Sequence, residues 1–474
     1  MAAGVRAFLG PRKTIKECLE STEVETHKLR RSLGAFDVIV LGIGAMVGAG
    51  IFVLTGQAAA NEAGPSVTLS FALAGVVCAL AALCYAELAS MVPVAGSAYT
   101  YTFATVGQLL AFIIGWDLVL EFTIGAAAVS VGFAGYLNAL LDQVFGVTLP
   151  DSITAPPGDG GSVNVFAIGI VLFVGLLLIR GIGMTAKATI TFVAVTIAVL
   201  LIVLAVGVTE VDTANWDPYF PFGFSGVAGG AALVFFAYIG FDIVATTAEE
   251  SKNPGRTMPI GILGSLAIVT LLYMLVSGVL TGMAPFRQLG GDAPIADAFK
   301  DLGRDWIAAI VYVGALAATL KTVMLLMLGQ SRVAFAMSRD RLIPERLGRT
   351  HAAYGTPHKI TIITMVVVAA MAGFVPLSTL AELVNIGTLF AFMLVAAAVL
   401  YLRSTDPDRE RPFRTPLSPV LPLLAIAGCI YLAVTLPTDT WIRFGVWMAL
   451  GLIVYVLYAR GASQVGQDRA RESS

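Results

Sequence analysis

Four ionisable residues, Asp117, Glu121, Asp242 and Lys321, sit inside stretches that are otherwise apolar. A charge at the middle of a bilayer costs roughly 2.5–3.5 kcal/mol on insertion scales, so such residues mark a cavity, a partner, a helix end or an ion pathway. Two glycine-interrupted runs accompany them, GIGAMVGAGIF over 42–52 and FFAYIGFD over 235–242. The first run has four glycines within 42–50, and each weakens a helix by about 1 kcal/mol relative to alanine. Alone it fits either close helix packing or a deliberate break whose freed N–H and C=O groups bind a ligand. The second run favours the break, because glycine-broken helices at matching places in two halves point to a transporter site. N–H groups opening the second half of a broken helix suit a carboxylate, and C=O groups closing the first half suit an ammonium group. Together they suit the zwitterionic head of an amino acid. This is binding chemistry rather than bond making. His27, His351 and His358 fall in polar segments, and no metal-ligand cluster or nucleophile–base pair lies within the apolar stretches.

The elements that must position these residues follow from composition. Of 474 residues, 57% are hydrophobic and 13% charged, with a mean hydropathy of +0.86, against about a quarter charged in soluble domains. That excludes a soluble enzyme, a nucleic-acid-binding protein and a disordered chain. Continuous apolar runs predict twelve helical spans, at 36–58, 66–92, 107–141, 164–182, 188–208, 225–249, 259–283, 306–337, 359–375, 378–402, 419–436 and 441–459. Residues 1–35 read as a cytosolic tail, either solvated or with a surface amphipathic helix near 13–29. Residues 403–418 read as a cytosolic linker, and 460–474 as a second tail. With both termini in the cytosol, 24 Lys and Arg fall on the inner side and four on the outer, as the positive-inside rule requires. The expectation is a multi-pass protein of the plasma (inner) membrane. Cys78, Cys84 and Cys429 read as small core hydrophobes and Cys18 as a tail thiol, with no disulfide, cofactor or nucleic-acid partner expected.

At these residues the chain resembles the amino acid–polyamine–organocation superfamily and, within it, the cationic amino acid transporter family, as a bacterial amino acid permease. The resemblance is carried by 41–52 (LGIGAMVGAGIF), 85–88 (YAEL), 115–122 (GWDLVLEF), 235–242, 248–254 (AEESKNP), 329–344 (GQSRVAFAMSRDRLIP) and 385–390 (NIGTLF), and it covers about residues 30 to 460. It implies the all-α leucine-transporter fold with 12 transmembrane helices, in which 36–208 and 225–402 form a 5+5 inverted repeat and 419–459 adds two peripheral helices. It also implies a substrate carboxylate on the amides of Gly48, Ala49 and Gly50, and an amino group on the carbonyls of Met46, Phe236 and Ile239. The Phe236 ring would act as a gate. Ala237 and Asp242 complete the expected substrate-binding set, although Asp242 reads first as a cap on the second half of span 6.

Lys321 lies fifteen residues after Trp306 and eleven before Arg332, about 22 Å and 16 Å along a helix, from where snorkelling is difficult. It reads either as a structural lysine bound to helix carbonyls or as a coupling group. Sodium-independent relatives place a lysine on span 5 that reaches the sodium position. Here that position is Thr196, a departure from the pattern, and Lys321 on span 8 stands where a small hydroxyl residue would help bind sodium. The expectation is that the ammonium has moved to span 8. Because burial can bring a lysine proton into the working range, Lys321 is also a candidate proton carrier. Asp117 and Glu121 share a face of span 3; one of them either faces the cavity to favour a cationic side chain or is a structural carboxylate paired with another helix, and Glu121, the deeper, joins Lys321 and Thr196 in the expected coupling or ion site. Glu87, Glu249 and Glu250 read as structural or gating groups, and Asn385 and Thr388 as cross-helix bonds near the cavity.

The function expected is secondary active transport of amino acids by alternating access, sodium-independent and proton-coupled. Exchange or facilitation without proton coupling is the alternative. The partners expected are protons, the lipid bilayer and a substrate that is arginine, lysine, ornithine or a small neutral amino acid. An amino-acid-gated channel would want rings of like polar residues. A nutrient sensor would want an appended signalling segment, and a metal carrier of this fold would want ligands that span 1 supplies only as Met46.

Overall fold

Apolar chain in a bilayer has no water to bond its backbone, so each long apolar run closes its hydrogen bonds internally as helix. The computed structural model describes residues 33–92, 97–181, 186–351 and 353–462, so the tail at 13–29, Cys18 and His27 lie outside the described residues. Among these residues there are twelve helices of at least twelve residues. They are α1 (Ala35–Met46), α2 (Val67–Met91), α3 (Gln108–Phe145), α4 (Val165–Ile179), α5 (Ala186–Gly207), α6 (Gly223–Val234), α7 (Pro254–Met283), α8 (Asp305–Arg339), α9 (His358–Phe374), α10 (Leu377–Thr405), α11 (Val420–Val434) and α12 (Thr438–Val454). No strand occurs among the described residues, apart from an isolated parallel bridge between Leu33 and Ser251. Among the described residues eight helical stretches are long and apolar enough to cross a membrane, and four shorter apolar helices accompany them. The protein is an all-α, multi-pass membrane protein.

Local signals set many of the ends. Asn164 caps α4 by accepting from the Ala167 N–H at 3.0 Å, which satisfies one orphan donor. Pro254 opens α7 and Pro376 precedes α10, where a missing N–H does no harm. Three boundaries differ from the sequence expectation: α3 runs on to Phe145, α10 to Thr405, and α7 opens five residues earlier, at Pro254. Two short helices were not expected, Ser97–Thr105 and Pro294–Asp301. Both are too short to read as spans.

Helices α1, α2, α6 and α7 pack as one group, and α3, α4, α8 and α9 as another. Helix α5 bridges α8 and α1, and α10 contacts α2, α3, α11 and α12. Small residues allow the tight crossings. A Cβ on Gly42 would fall 2.6 Å from Ser265 Cβ, and one on Gly261 2.1 Å from Val38 Cγ1, so α1 and α7 meet nearly backbone to backbone. Large apolar side chains face outward from the outer helices, with Phe173, Leu201 and Val366 each more than half exposed. In lipid that face is the solvated one.

Candidate functional site

The two glycine-rich runs are where the helices stop. Helix α1 ends at Met46 because Val47 turns to extended backbone (φ −77°, ψ 97°), and the chain resumes as a wide-turn helix over Gly50–Leu54. Helix α6 passes into a 3₁₀ turn over Phe235–Tyr238. Ile239 is then extended (φ −63°, ψ 132°), and Gly240, at φ +122°, starts the short helix Phe241–Ala245. That φ is open to glycine and rare for any residue with a Cβ.

The two breaks also touch. A Cβ on Gly50 would lie 2.4 Å from Ala237 Cα, one on Gly240 2.8 Å from the Ala45 carbonyl carbon, and one on Gly48 2.9 Å from Thr322 Oγ1. Glycine at 50 and 240 lets one broken segment lie against the other, and glycine at 48 makes room for Thr322 of α8. The expected set Met46, Gly48, Ala49, Gly50, Phe236, Ala237 and Ile239 is therefore gathered around one pair of breaks, and all of it is buried.

Polar groups hold the breaks together. The Tyr273 hydroxyl on α7 lies 2.9 Å from Met46 O and 3.0 Å from Ala237 O, so one donor serves a carbonyl from each break. The carbonyl of Phe236 accepts from the Ile239 N–H at 3.2 Å. Lys321 is fully buried, and its Nζ donates to Val47 O at 3.1 Å, the first carbonyl past the end of α1. Its stem runs beside Gly44, near Val193 and Thr189 of α5. Thr196 donates its hydroxyl to Phe192 O on its own helix at 2.8 Å. Asp242 accepts from the Gly240 N–H at 3.2 Å, a cap on the second limb of span 6. Negative charge at that helix start is stabilising.

Asp117 and Glu121 are completely buried on α3. No oxygen of either accepts a hydrogen bond among the described residues. Thr388 lies beside Glu121 but gives its proton to Val384 O at 3.0 Å, so it bonds within its own helix. Asp117 packs against Gly387 of α10, where a Cβ would fall 2.9 Å from Oδ1. The charged neighbours of Glu121 are Asp242 and Asp117, and the buried Tyr85 hydroxyl, also without a bonded partner among the described residues, shares this acidic surrounding. Asn385 does bond across helices, donating to Ala232 O at 2.7 Å and Leu233 O at 3.3 Å on α6.

On the side expected to be cytosolic, a cavity of about 130 Å³ runs from Ala45, Ile243 and Val244 to Glu250 and Arg332. Those last two residues form an ion pair at 3.8 Å. The side chain of Glu249 lies outside what is described. The Leu33 N–H donates to Glu250 O at 3.0 Å, and Leu33 O accepts from the Lys252 N–H at 3.0 Å, which joins the approach to α1 to the exit from span 6. Glu87 is structural: it takes Arg403 at 2.6 Å, Arg411 at 3.4 Å and the Thr415 N–H at 2.7 Å, fastening 403–418 to α2. At the opposite end Tyr136 donates to Phe52 O at 2.8 Å, and the Pro294–Asp301 helix packs on the second limb of span 1 through Gly56 and Pro294. There Asp297 accepts from Tyr312 at 3.5 Å. Burial, then the Asp301 carboxylate, push the Asp297 acid up to about 6.

Tyr273 and Tyr136 are the residues that sequence reasoning passed over. The signal was a tyrosine inside an apolar span, whose hydroxyl must find a partner when buried.

Two helices broken side by side within an all-α multi-pass protein define a membrane transporter. Comparison with known proteins makes the class specific: residues 33–458 match the amino acid permease family. The chain belongs to that family, within the amino acid–polyamine–organocation superfamily, and is a transporter rather than an enzyme. It is 46% identical over 462 residues to the branched-chain amino acid permease BcaP of Bacillus subtilis (strain 168), covering 96% of this chain and 98% of that one. To the methylthioribose transporter of the same organism it is 43% identical, over 93% of this chain and 96% of that one. To cationic amino acid transporter 4 of Homo sapiens it is 36% identical, over 89% of this chain and 68% of that one.

Proposed function

We propose that the protein is a secondary active transporter that moves amino acids by alternating access, independent of sodium and coupled to protons. The observation that carries this reading is the meeting of the two helix breaks, with Lys321 bonded to Val47 O beside them. N–H groups at the start of a helix lack intrahelical partners, so Gly48, Ala49 and Gly50 suit the substrate carboxylate. The carbonyls of Met46, Phe236 and Ile239 suit its ammonium group. Met46 O and Phe236 O already take one bond each, and a carbonyl has a second lone pair to offer. Phe236 closes over the bound zwitterion. Lys321 stands in for sodium: a fixed ammonium on the broken end of α1 leaves no place for a metal cation and supplies a group that can exchange a proton. Thr196 takes no direct part in that exchange.

The same reading includes twelve spans, counting each broken helix once, arranged as inverted repeats over 36–208 and 225–402. Helices α11 and α12 are peripheral, and both termini lie in the cytosol at the plasma membrane. Its domains are the tail 1–35, the core 36–402, the linker 403–418, the helices in 419–459 and the tail 460–474.

The relatives carry names for branched-chain amino acids, methylthioribose and cationic amino acids, so selectivity falls to the side chains around the breaks. Asp117 and Glu121 cannot both stay ionised and unpaired in the membrane interior. They hold either protons, with a small neutral substrate, or the cationic side chain of arginine, lysine or ornithine.

The test is uptake into proteoliposomes of labelled cationic, branched-chain and small neutral amino acids and of methylthioribose, with and without sodium and an imposed proton gradient. Saturable, gradient-driven accumulation of an amino acid without sodium is expected. Sodium dependence would overturn the Lys321 argument, and accumulation of methylthioribose alone would overturn the amino-acid reading.

A further inference from the structure

Away from the breaks, α3, α8, α9 and α12 enclose an apolar cleft of about 390 Å³, within the roughly 300–1,000 Å³ of small-molecule sites. One wall is the pair Trp116 and Trp447, stacked with centroids 4.5 Å apart. Each ring also donates its N–H to the other's backbone carbonyl, at 3.0 Å and 3.3 Å. The floor is Ile343, Pro344 and Leu347, from the segment that follows α8. That floor is built rather than loose: Ser338 donates to Pro344 O at 3.0 Å and accepts from the Gly348 N–H at 3.1 Å. The mouth lies at Ile363 and Val367 of α9, which are 51% and 43% exposed on a face that lipid bathes.

Two facts name the occupant. The lining is largely apolar and gains dispersion contacts from an apolar chain laid against it, and what surrounds this mouth is hydrocarbon chain. The rim of the floor is basic. Arg346 adjoins Leu347, Lys359 adjoins the lining residue Ile360, and Arg339 and Arg349 are also exposed there. Over 339–359 five cations, at 339, 341, 346, 349 and 359, stand against two acids, Asp340 and Glu345, and Glu345 pairs with Arg341 at 3.4 Å, so the stretch is net basic. Basic pockets between transmembrane helices recognise anionic lipid headgroups. We propose that this cleft binds one anionic phospholipid, with an acyl chain between α9 and α12 and its phosphate on the rim formed by Arg346, Arg349 and Lys359. Such a lipid would fill the space between α9 and α12 beside the Trp pair.

The test uses the full-length protein in detergent, incubated with mixtures of phosphatidylglycerol and phosphatidylcholine and read by native mass spectrometry. One retained phosphatidylglycerol per chain is expected, in clear excess over phosphatidylcholine. The exposed-site variant R346A/R349A/K359A should lower that preference by about fivefold per charge, on the order of a hundredfold in total. Ile363→Trp, which plugs the mouth, should abolish retention. Equal retention of the two lipids, an unchanged preference in the triple variant, or displacement of phosphatidylglycerol by a sterol would each overturn the proposal. As a check independent of the plugged variant, phosphatidylglycerol with brominated chains should quench Trp116 and Trp447 at low mole fraction and saturate. Quenching that rises linearly with bromolipid and equally for both headgroups would count against the site.

Discussion

Gly50→Ala tests the contact between the two breaks most directly. The added methyl would sit 2.4 Å from both Cα and Cβ of Ala237 and 3.1 Å from its amide nitrogen, while ordinary contact begins near 3.4 Å. The obstacle is backbone, which cannot rotate away, so the two broken segments must part by about 1 Å. Overpacking of this kind costs about 1–3 kcal/mol, equivalent to roughly 5- to 160-fold in an equilibrium. A misplacement of about 1 Å at a site that works by positioning costs about a hundredfold. Gly50→Ala should therefore raise the half-saturating substrate concentration in proteoliposome uptake by one to two orders of magnitude, with the protein still folded by thermal unfolding in detergent. Gly125→Ala is the control. Its methyl would meet only the end of the Leu326 side chain, Cδ1 at 3.5 Å and Cδ2 at 3.6 Å, and a helical Gly→Ala change gains about 1 kcal/mol of propensity, so its uptake should match the parent. A Gly50→Ala protein with parental affinity, or equal damage from Gly125→Ala, would refute the idea that the breaks work through backbone proximity.

The other expectations concern single polar groups. Lys321→Met removes a charge-assisted bond to Val47 O worth about 1.5–3 kcal/mol. It should collapse accumulation driven by a proton gradient to simple equilibration, and parental accumulation would show that the ammonium is dispensable. Tyr273→Phe leaves Met46 O and Ala237 O without their shared donor, a loss of about 1–3 kcal/mol to be read as a lower unfolding midpoint together with altered affinity. Glu87→Gln removes the carboxylate charge that faces Arg403 and Arg411, leaving Arg411 only its backbone carbonyl partners, and breaking a buried pair costs about 3–5 kcal/mol. A change below about 1 kcal/mol in denaturation would mean the linker is not anchored there. Asp297 is an acid pushed up to about 6 by burial and then by Asp301. The folded state therefore binds more protons than the unfolded one between about pH 4 and 6, and stability falls as pH rises through that window. Asp297→Asn should flatten that slope and raise the unfolding midpoint at pH 7, with no difference below pH 4.

Much of this arrangement was legible in the residues. Span limits came through because an apolar run and its helix are the same object in lipid, and α2, α4 and α9 lie within three residues of the expected bounds. The breaks were legible because glycine at 48, 50 and 240 serves a specific need, close approach at the first two and a positive φ at the third. What was hidden depends on distance along the chain. Tyr273 is 227 positions from Met46, and Glu87 is 316 from Arg403, so no local pattern announces either bond. The Pro294–Asp301 helix was missed because eight residues with three charges among them read as loop. The choice for Asp117 and Glu121 stays open: the charged neighbours of Glu121 are both acids, and Thr388 of α10 lies beside it.

The single rung between Leu33 and the 250–252 segment has a mechanical meaning. Its two backbone bonds, each contributing about 0.5–1.5 kcal/mol, rivet the near end of one broken helix to the near end of the other. Pulling those ends apart would carry a roughly 5- to 160-fold penalty, so the two broken helices are tied there. In the alternating-access reading proposed above, that tie joins two jointed arms at one pivot, so that one would not swing while the other stays shut.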